Sequence, residues 1–379
     1  MKKSYSPLFD PFHFPSANMS LKNRIVMSPM THMSSNADGS ISEQEIQYYK
    51  RRSHGAAMVI TAATYVLQQG GMPGAPGADN DALIPGLRRL ASTIQGNGAK
   101  AVLQIFHAGR QGSKTGDYVS AGNIPEDREG APVPRSLTEQ EMEGIIHAYA
   151  EAARRAVNAG FDGVEIHGGN GNLLHQFLSP MTNRRTDRYG GSLENRMTLP
   201  LAIIREVLQT VRKESDKPFL VGFRFSPEEA GTPGITMADT LSFVDALSGT
   251  GIDYLHVSLT SFRSVPRRGI QDSRSRLAIL QERVGSRIPM IGVGSIYTPD
   301  DALEALSSGI PLIALGRELI MEPDWVQLVL EGREQQIRTS ISPLDLQELS
   351  VPEPLWSLMM SIPGWFPLRS DPQVVDAER

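Results

Sequence analysis

The chain has 379 residues, of which 40% are hydrophobic and 21% charged, proportions that suit a globular protein with a substantial core and argue against disorder. A net charge of −5, with 37 basic residues against 42 acidic ones and no long run of either sign, speaks against nucleic acid or an anionic membrane as the main partner. The sequence holds no cysteine, so disulfides, thiolate nucleophiles, zinc–thiolate sites and iron–sulfur clusters are excluded together, and redox chemistry would need an organic cofactor.

Met1 to Tyr5 carries two lysines without an apolar stretch behind them, and no segment nears the roughly 18 apolar residues of a membrane span; a cytoplasmic location is the expectation. Apolar runs that fit strands follow at Arg24–Met27, Ala57–Thr61 and Ala101–Phe106. The stretch from Phe106 to Ser136, rich in Gly, Pro, Ser and Asp, is too long for an ordinary turn and should rim or cover an active site. Ser136-Leu137-Thr138-Glu139 fits the capping-box pattern of a helix start. Met142, Ile145, Ile146, Tyr149, Ala153, Ala156 and Val157 then recur at helical spacing, Gly160 supplies the stop, and Phe161–His167 reads as a buried strand.

Further strands fit Phe219–Phe225, Gly251–Val257 and Met290–Val293, and a helix opened by Thr298-Pro299 closes at Gly309 before a last strand over Pro311–Leu315. Eight strands alternating with helical patterns imply parallel pairing and the number that closes a (β/α)8 TIM barrel, with an open doubly wound sheet as the alternative. The expected organisation is an α/β chain forming one domain over 1–379, with the barrel at about 20–335 and loop insertions. The proline-rich segment from Ser342 to Arg379 shows no clear periodicity and reads as an irregular tail packed on the barrel or on a neighbouring subunit.

Barrel enzymes draw their chemistry from residues at the C-terminal ends of strands. Here these are Ser28 and Thr31, Gln104, His167 and Asn170, and Arg224. They contain hydrogen-bond donors and one fixed cation, without a carboxylate pair or a serine–histidine–acid arrangement, and suit an electron-rich planar cofactor better than hydrolysis. The eight histidines form neither an H-x-H pair nor an H-E-x-x-H helix, so no metal site is expected. Glycines and an arginine that could meet a phosphate stand after the last two strands, in Ile291-Gly292-Val293-Gly294-Ser295 and Leu315-Gly316-Arg317.

Leu21 to Thr31, Gln104 to Arg110, Glu165 to Gly171, and the long run from Phe177-Leu178-Ser179-Pro180 through Asn183 to Arg196 occur in an order that resembles the old yellow enzyme family of FMN-dependent reductases, over residues from about 7 to 335. The resemblance implies bound FMN, NADH or NADPH as co-substrate, and hydride transfer to a small-molecule acceptor: an activated alkene such as an α,β-unsaturated carbonyl, a quinone or a nitro compound. It places Ser28, Pro29, Met30, Thr31 and Ala63 around the isoalloxazine ring, Gln104 at its pyrimidine edge, and Arg224 where the reduced ring concentrates charge. Gly294, Ser295, Gly316 and Arg317 fall to the phosphate, and His167 with Asn170 to the acceptor's oxygen, as an oxyanion hole. Many members carry a tyrosine two residues after the position of Asn170, as the acid that protonates carbon; here that position is Asn172, and a carboxamide has no proton to give at neutral pH. That departure leaves room for a flavin-binding module with little turnover, and the resemblance to longer relatives leaves room for oxidation of an amine. The resemblance leaves a homo-oligomer open.

Overall fold

The computed structural model describes residues 1–369; the last ten positions of the expected tail lie outside the described residues. Eight parallel strands form the barrel: β1 (Ile25–Met27), β2 (Met58–Ile60), β3 (Lys100–Phe106), β4 (Gly163–Gly168), β5 (Leu220–Phe225), β6 (Tyr254–Val257), β7 (Met290–Val293) and β8 (Leu312–Leu315). Each pairs with its sequence neighbours, and β8 returns to β1 with Ala314 opposite Val26, which closes the sheet. The closed barrel, not the open sheet, is therefore the architecture.

The helices that cover it are α1 (Glu43–Arg52), α2 (Ile84–Gly96), α3 (Glu139–Ala159), α4 (Thr198–Glu214), α5 (Met237–Ser248), α6 (Arg276–Val284), α7 (Pro299–Ser307) and α8 (Trp325–Glu331). The start of α3 corrects the sequence reading. Its capping box is formed by Thr138 and Glu141, each side chain bonded to the other's backbone N–H, while Ser136 sits in a two-residue strand with Arg135 that pairs with Val119–Ser120. The pattern was right in kind but two residues early, because Arg135–Leu137 is drawn into backbone bonds with Tyr118 and Ser120. Gly160 ends α3 at φ +85°, a left-handed conformation that costs glycine little.

The amino-terminal hairpin escapes sequence reasoning, as does a helix in the tail. Phe12–Phe14 and Met19–Leu21 form an antiparallel hairpin whose Phe14, Met19 and Leu21 pack with Val26, Met58, Val102, Leu220 and Tyr254, so the apolar interior is plugged from the end opposite the strand C-termini. Three-residue strands are too short to show a period of two. The tail carries a helix over Glu353–Ser361, and Leu355, Trp356, Met359 and Phe366 are buried in the main core. It thus packs on the barrel.

Candidate active site

Side chains two apart on a strand point to the same face, and four such pairs aim inward at the C-terminal ends: Gln104 and Phe106 on β3, Glu165 and His167 on β4, Arg224 and Ser226 at the end of β5, and His256 and Ser258 at the end of β6. The register sets Gln104 beside Glu165, and Arg224 beside both His167 and His256. Glu165 and His256, each 0% exposed, form a polar floor. Gln104 Nε2 donates to Glu165 Oε1 at 2.7 Å, and His256 Nδ1 lies 2.9 Å from Glu165 Oε2. Burial alone would raise the Glu165 carboxyl, but His256, Arg224 and Gln104 together hold it below the ordinary carboxylate value. With one N–H held by Glu165, the Gln104 amide is fixed so that its carbonyl oxygen faces what lies above.

Two adjoining cavities open over this floor and share Arg224. One, of about 190 Å³, is lined by Pro29, Thr31, Ala63, Gln104, His167 and Asn170, together with Met72, Phe106, Gln111 and Asn172. The other, of about 370 Å³, is lined by Ser28, Met30, Gly294, Ser295, Gly316 and Arg317, together with Tyr297, Glu318 and Trp365 among others. Every residue singled out from the sequence as a site candidate thus lines one cavity or the other. The long loop after β3 reaches the smaller one through Gln111, whose Nε2 donates to Asn170 O at 3.1 Å.

At the smaller cavity burial, reinforced by the nearby Arg224 guanidinium, pushes His167 down to about 3. The ring is neutral, and its Nδ1 is buried without a partner. Asn170 adopts φ +54°, and its amide is oriented by a chain of donors. Arg224 can only donate, and its Nη2 bonds Ser258 Oγ at 3.1 Å, so the Ser258 hydroxyl proton is free for Asn170 Oδ1 at 2.9 Å. The Asn170 backbone N–H likewise occupies Ser226 Oγ, which donates to the same Oδ1 at 2.9 Å. With its oxygen doubly held, Asn170 keeps its NH2 to donate elsewhere. Asn172 Nδ2 bonds Gly169 O at 3.2 Å, and no tyrosine lines this cavity: Tyr65 is buried against Lys114 and Asp38, and Tyr118 lies elsewhere in the loop.

At the larger cavity Gly294 has φ +135°, and an added Cβ would stand 2.9 Å from Leu259 O and from Phe262 N, so only glycine fits. Ser295 follows at φ +50°. Arg317 Nη2 donates to Ser295 Oγ at 2.8 Å and Nη1 to Trp365 O at 2.7 Å, which ties the tail to the cavity wall. Burial, with Glu322 and Asp301 nearby, pushes the Glu318 carboxyl up to about 9, so this wall is not a second negative charge at neutral pH.

Sequence reasoning passed over Glu165, Ser226, His256 and Ser258, although each is two residues from a recognised candidate or from another of the four. Strand alternation was the available signal. Glu318 directly follows the recognised Arg317, whereas Trp365 had no signal, since only folding brings the tail there.

Comparison with known proteins relates the chain to one family. The profile of the NADH:flavin oxidoreductase / NADH oxidase family matches residues 7–336. A probable NADH-dependent flavin oxidoreductase of Bacillus subtilis (strain 168) is 48% identical over 374 residues, covering 97% of this chain and 100% of the relative. An NADH:fumarate oxidoreductase of Klebsiella pneumoniae (strain 342) is 37% identical over 92% of this chain, which spans only 38% of that longer protein. Among solved structures, the old yellow enzyme homologue from Zymomonas mobilis superposes with a TM-score of 0.74 at 28% identity, covering 86% of this chain and 92% of the other. Among the described residues, no helix is long and apolar enough to cross a membrane.

Proposed function

Because the chain belongs to the NADH:flavin oxidoreductase / NADH oxidase family, whose enzymes use FMN with NAD(P)H as co-substrate, we propose that its two adjoining cavities hold that FMN. The smaller would take the ring, the larger the phosphate, and the acceptor would enter at His167 and Asn170. The observation that carries this reading is Arg224, a buried cation at the junction of both cavities. The residues fit the group: Arg224 Nε and His167 Nδ1 are buried without protein partners, a costly state that a polar planar ligand relieves, and the Gly294 cradle leaves room where any side chain would collide.

Bound there, FMN would supply two-electron chemistry, taking hydride from the nicotinamide and passing it to the acceptor. The protein's part is electrostatic and geometric. Arg224 offers a permanent charge, and Gln104 a carbonyl acceptor whose orientation Glu165 sets. Thr31, Ser28, Pro29, Met30 and Ala63 close the walls. Neutral His167 and the Asn170 NH2 converge as two donors toward an oxygen that gains charge. Gly294, Ser295, Gly316 and Arg317 receive the phosphate. Among the described residues, no group in the smaller cavity is placed to protonate carbon: Asn172 has no proton to give, and His167 is not an imidazolium.

The acceptors favoured by this arrangement are those that take electrons without a proton at carbon, quinones above enones. The test is anaerobic mixing of the FMN-loaded protein with NADH and with NADPH, then reoxidation by a quinone and by cyclohexenone. Bleaching by a nicotinamide and faster reoxidation by the quinone are expected. A single reduction with no steady turnover would identify a flavin-binding module instead, and a pure protein that takes up no FMN would overturn the reading.

A further inference from the structure

A third cavity, of about 350 Å³, meets the smaller one at Asn170 and the larger one at Leu259 and Thr260; Ser226, Pro227, Glu228, Ser258, Arg267 and Arg276 complete its walls. Its charge is only partly spent within the protein. The Glu228 carboxylate accepts from the backbone N–H groups of Arg267 and Arg268, at 3.1 Å each, and from Arg276 Nε. That pins the loop after β6 against the cavity and saturates the carboxylate. Arg276 is only 5% exposed, yet among the described residues its terminal nitrogens have no protein partner. The Arg267 guanidinium, exposed at the mouth, has none either. The neighbouring arginines are engaged: Arg263 with Asp301 and Glu304, Arg268 with Thr232 and Glu229, Arg274 with Asp272 and Glu282. Two cations against one carboxylate leave the cavity net positive.

Resting on the proposed flavin reading, we infer that this cavity binds the diphosphate of the nicotinamide dinucleotide. A cavity of about 190 Å³ admits a nicotinamide ring but not the dinucleotide, whose remainder must leave past one wall. Thr31, Met72 and Gln111 on that cavity are uncharged, the side shared through Arg224 is the one assigned to FMN, and the side at Asn170 opens onto the guanidinium groups of Arg267 and Arg276. Guanidinium meets phosphate through charge-assisted, bidentate hydrogen bonds. The buried Arg276, braced by Glu228, is the fixed half of the clamp, and Arg267 closes it from the loop.

The test compares two hydride donors on the FMN-loaded enzyme: NADH, and 1-benzyl-1,4-dihydronicotinamide, which has the same reacting ring and no phosphate. Arg267→Ala should raise KM for NADH about ten-fold, the factor that 1.4 kcal/mol represents, while kcat stays within about two-fold and the benzyl donor is unaffected. Arg267→Lys should recover part of the loss. The Kd of a tetrahydro-nicotinamide dinucleotide, which cannot give hydride, read from the flavin absorbance, should weaken in parallel. If Arg267→Ala slows both donors alike, or changes neither KM nor that Kd, the subsite is wrong. A wild-type protein whose flavin neither donor reduces overturns the flavin reading itself, and this one with it.

Discussion

Near Ser295 and Arg317 the site is shaped by residues of fixed backbone conformation and an anchored arginine, whereas near Gln104 and His167 it is shaped by side chains whose orientation depends on partners one strand away. The first kind of wall is set by chain conformation. Gly294 and Ser295 hold positive φ, and Arg317 is anchored to Ser295 and Trp365. The second is set by hydrogen-bond order: Arg224 through Ser258 to Asn170, and Glu165 to Gln104. Retention should therefore depend on one end and reactivity on the other, and substitutions can separate them.

Asn172→Tyr carries the largest expected effect. A positioned acid contributes about 100- to 10,000-fold to a proton transfer, so an added phenol in the smaller cavity should raise enone turnover by at least about ten-fold while quinone turnover and flavin reduction by the nicotinamide change little. Wild-type enone turnover that already equals quinone turnover would show that another acid reaches the cavity. Next comes Arg317→Ala, which removes a charge-assisted partner worth about 1.5–3 kcal/mol. Titration of the apoprotein with FMN should show weaker affinity by about ten-fold or more, with an unchanged ratio of quinone to enone turnover in the fully loaded enzyme. A shifted ratio would break the division between the two ends.

A smaller effect concerns proton linkage at His167. Its folded value, about 3, lies below the ordinary 6.5, so the unfolded chain binds the proton first as pH falls. The associated stability is whole above about 6.5 and is lost progressively toward about 3. Between about pH 6 and about pH 5, the slope of unfolding free energy against pH should be smaller in His167→Asn by about 1 kcal/mol per pH unit. Urea unfolding at both pH values measures this, and identical slopes would mean that the ring titrates normally in the folded protein. The smallest change is expected from Ser258→Ala, which removes one of two hydroxyls that hold the Asn170 oxygen, a loss of about 1 kcal/mol. Phenol binding, followed by its spectral shift with the flavin, should weaken about five-fold with FMN affinity intact. Loss of FMN instead would assign Ser258 to Arg224 rather than to Asn170.

The long run from Phe177 to Arg196 illustrates how a sequence signal and a site can part company. It carries the most specific resemblance in the chain, yet none of its side chains lines either cavity. Asn183 Nδ2 bonds Phe177 O and Tyr189 O, and Arg185 bonds Asp187 and Leu137 O. The run braces the loop behind β4 and positions the site from outside.

Local patterning alone determined the strand–helix alternation, the helix stop at Gly160 and the helix start at Thr298, because these depend on periodicity and on backbone preferences of single residues. Residue identities at strand ends also marked out the candidate site, since a barrel gathers those ends on one face. What only the tertiary structure decided is partnership across the barrel. Closure through β8 and β1, the hairpin plug, the Glu165–His256 floor, the donor order that turns Asn170, and the tie from Arg317 to Trp365 each join residues distant in the chain. Their free energies arise from contacts formed only when the sheet closes, and no local preference encodes them.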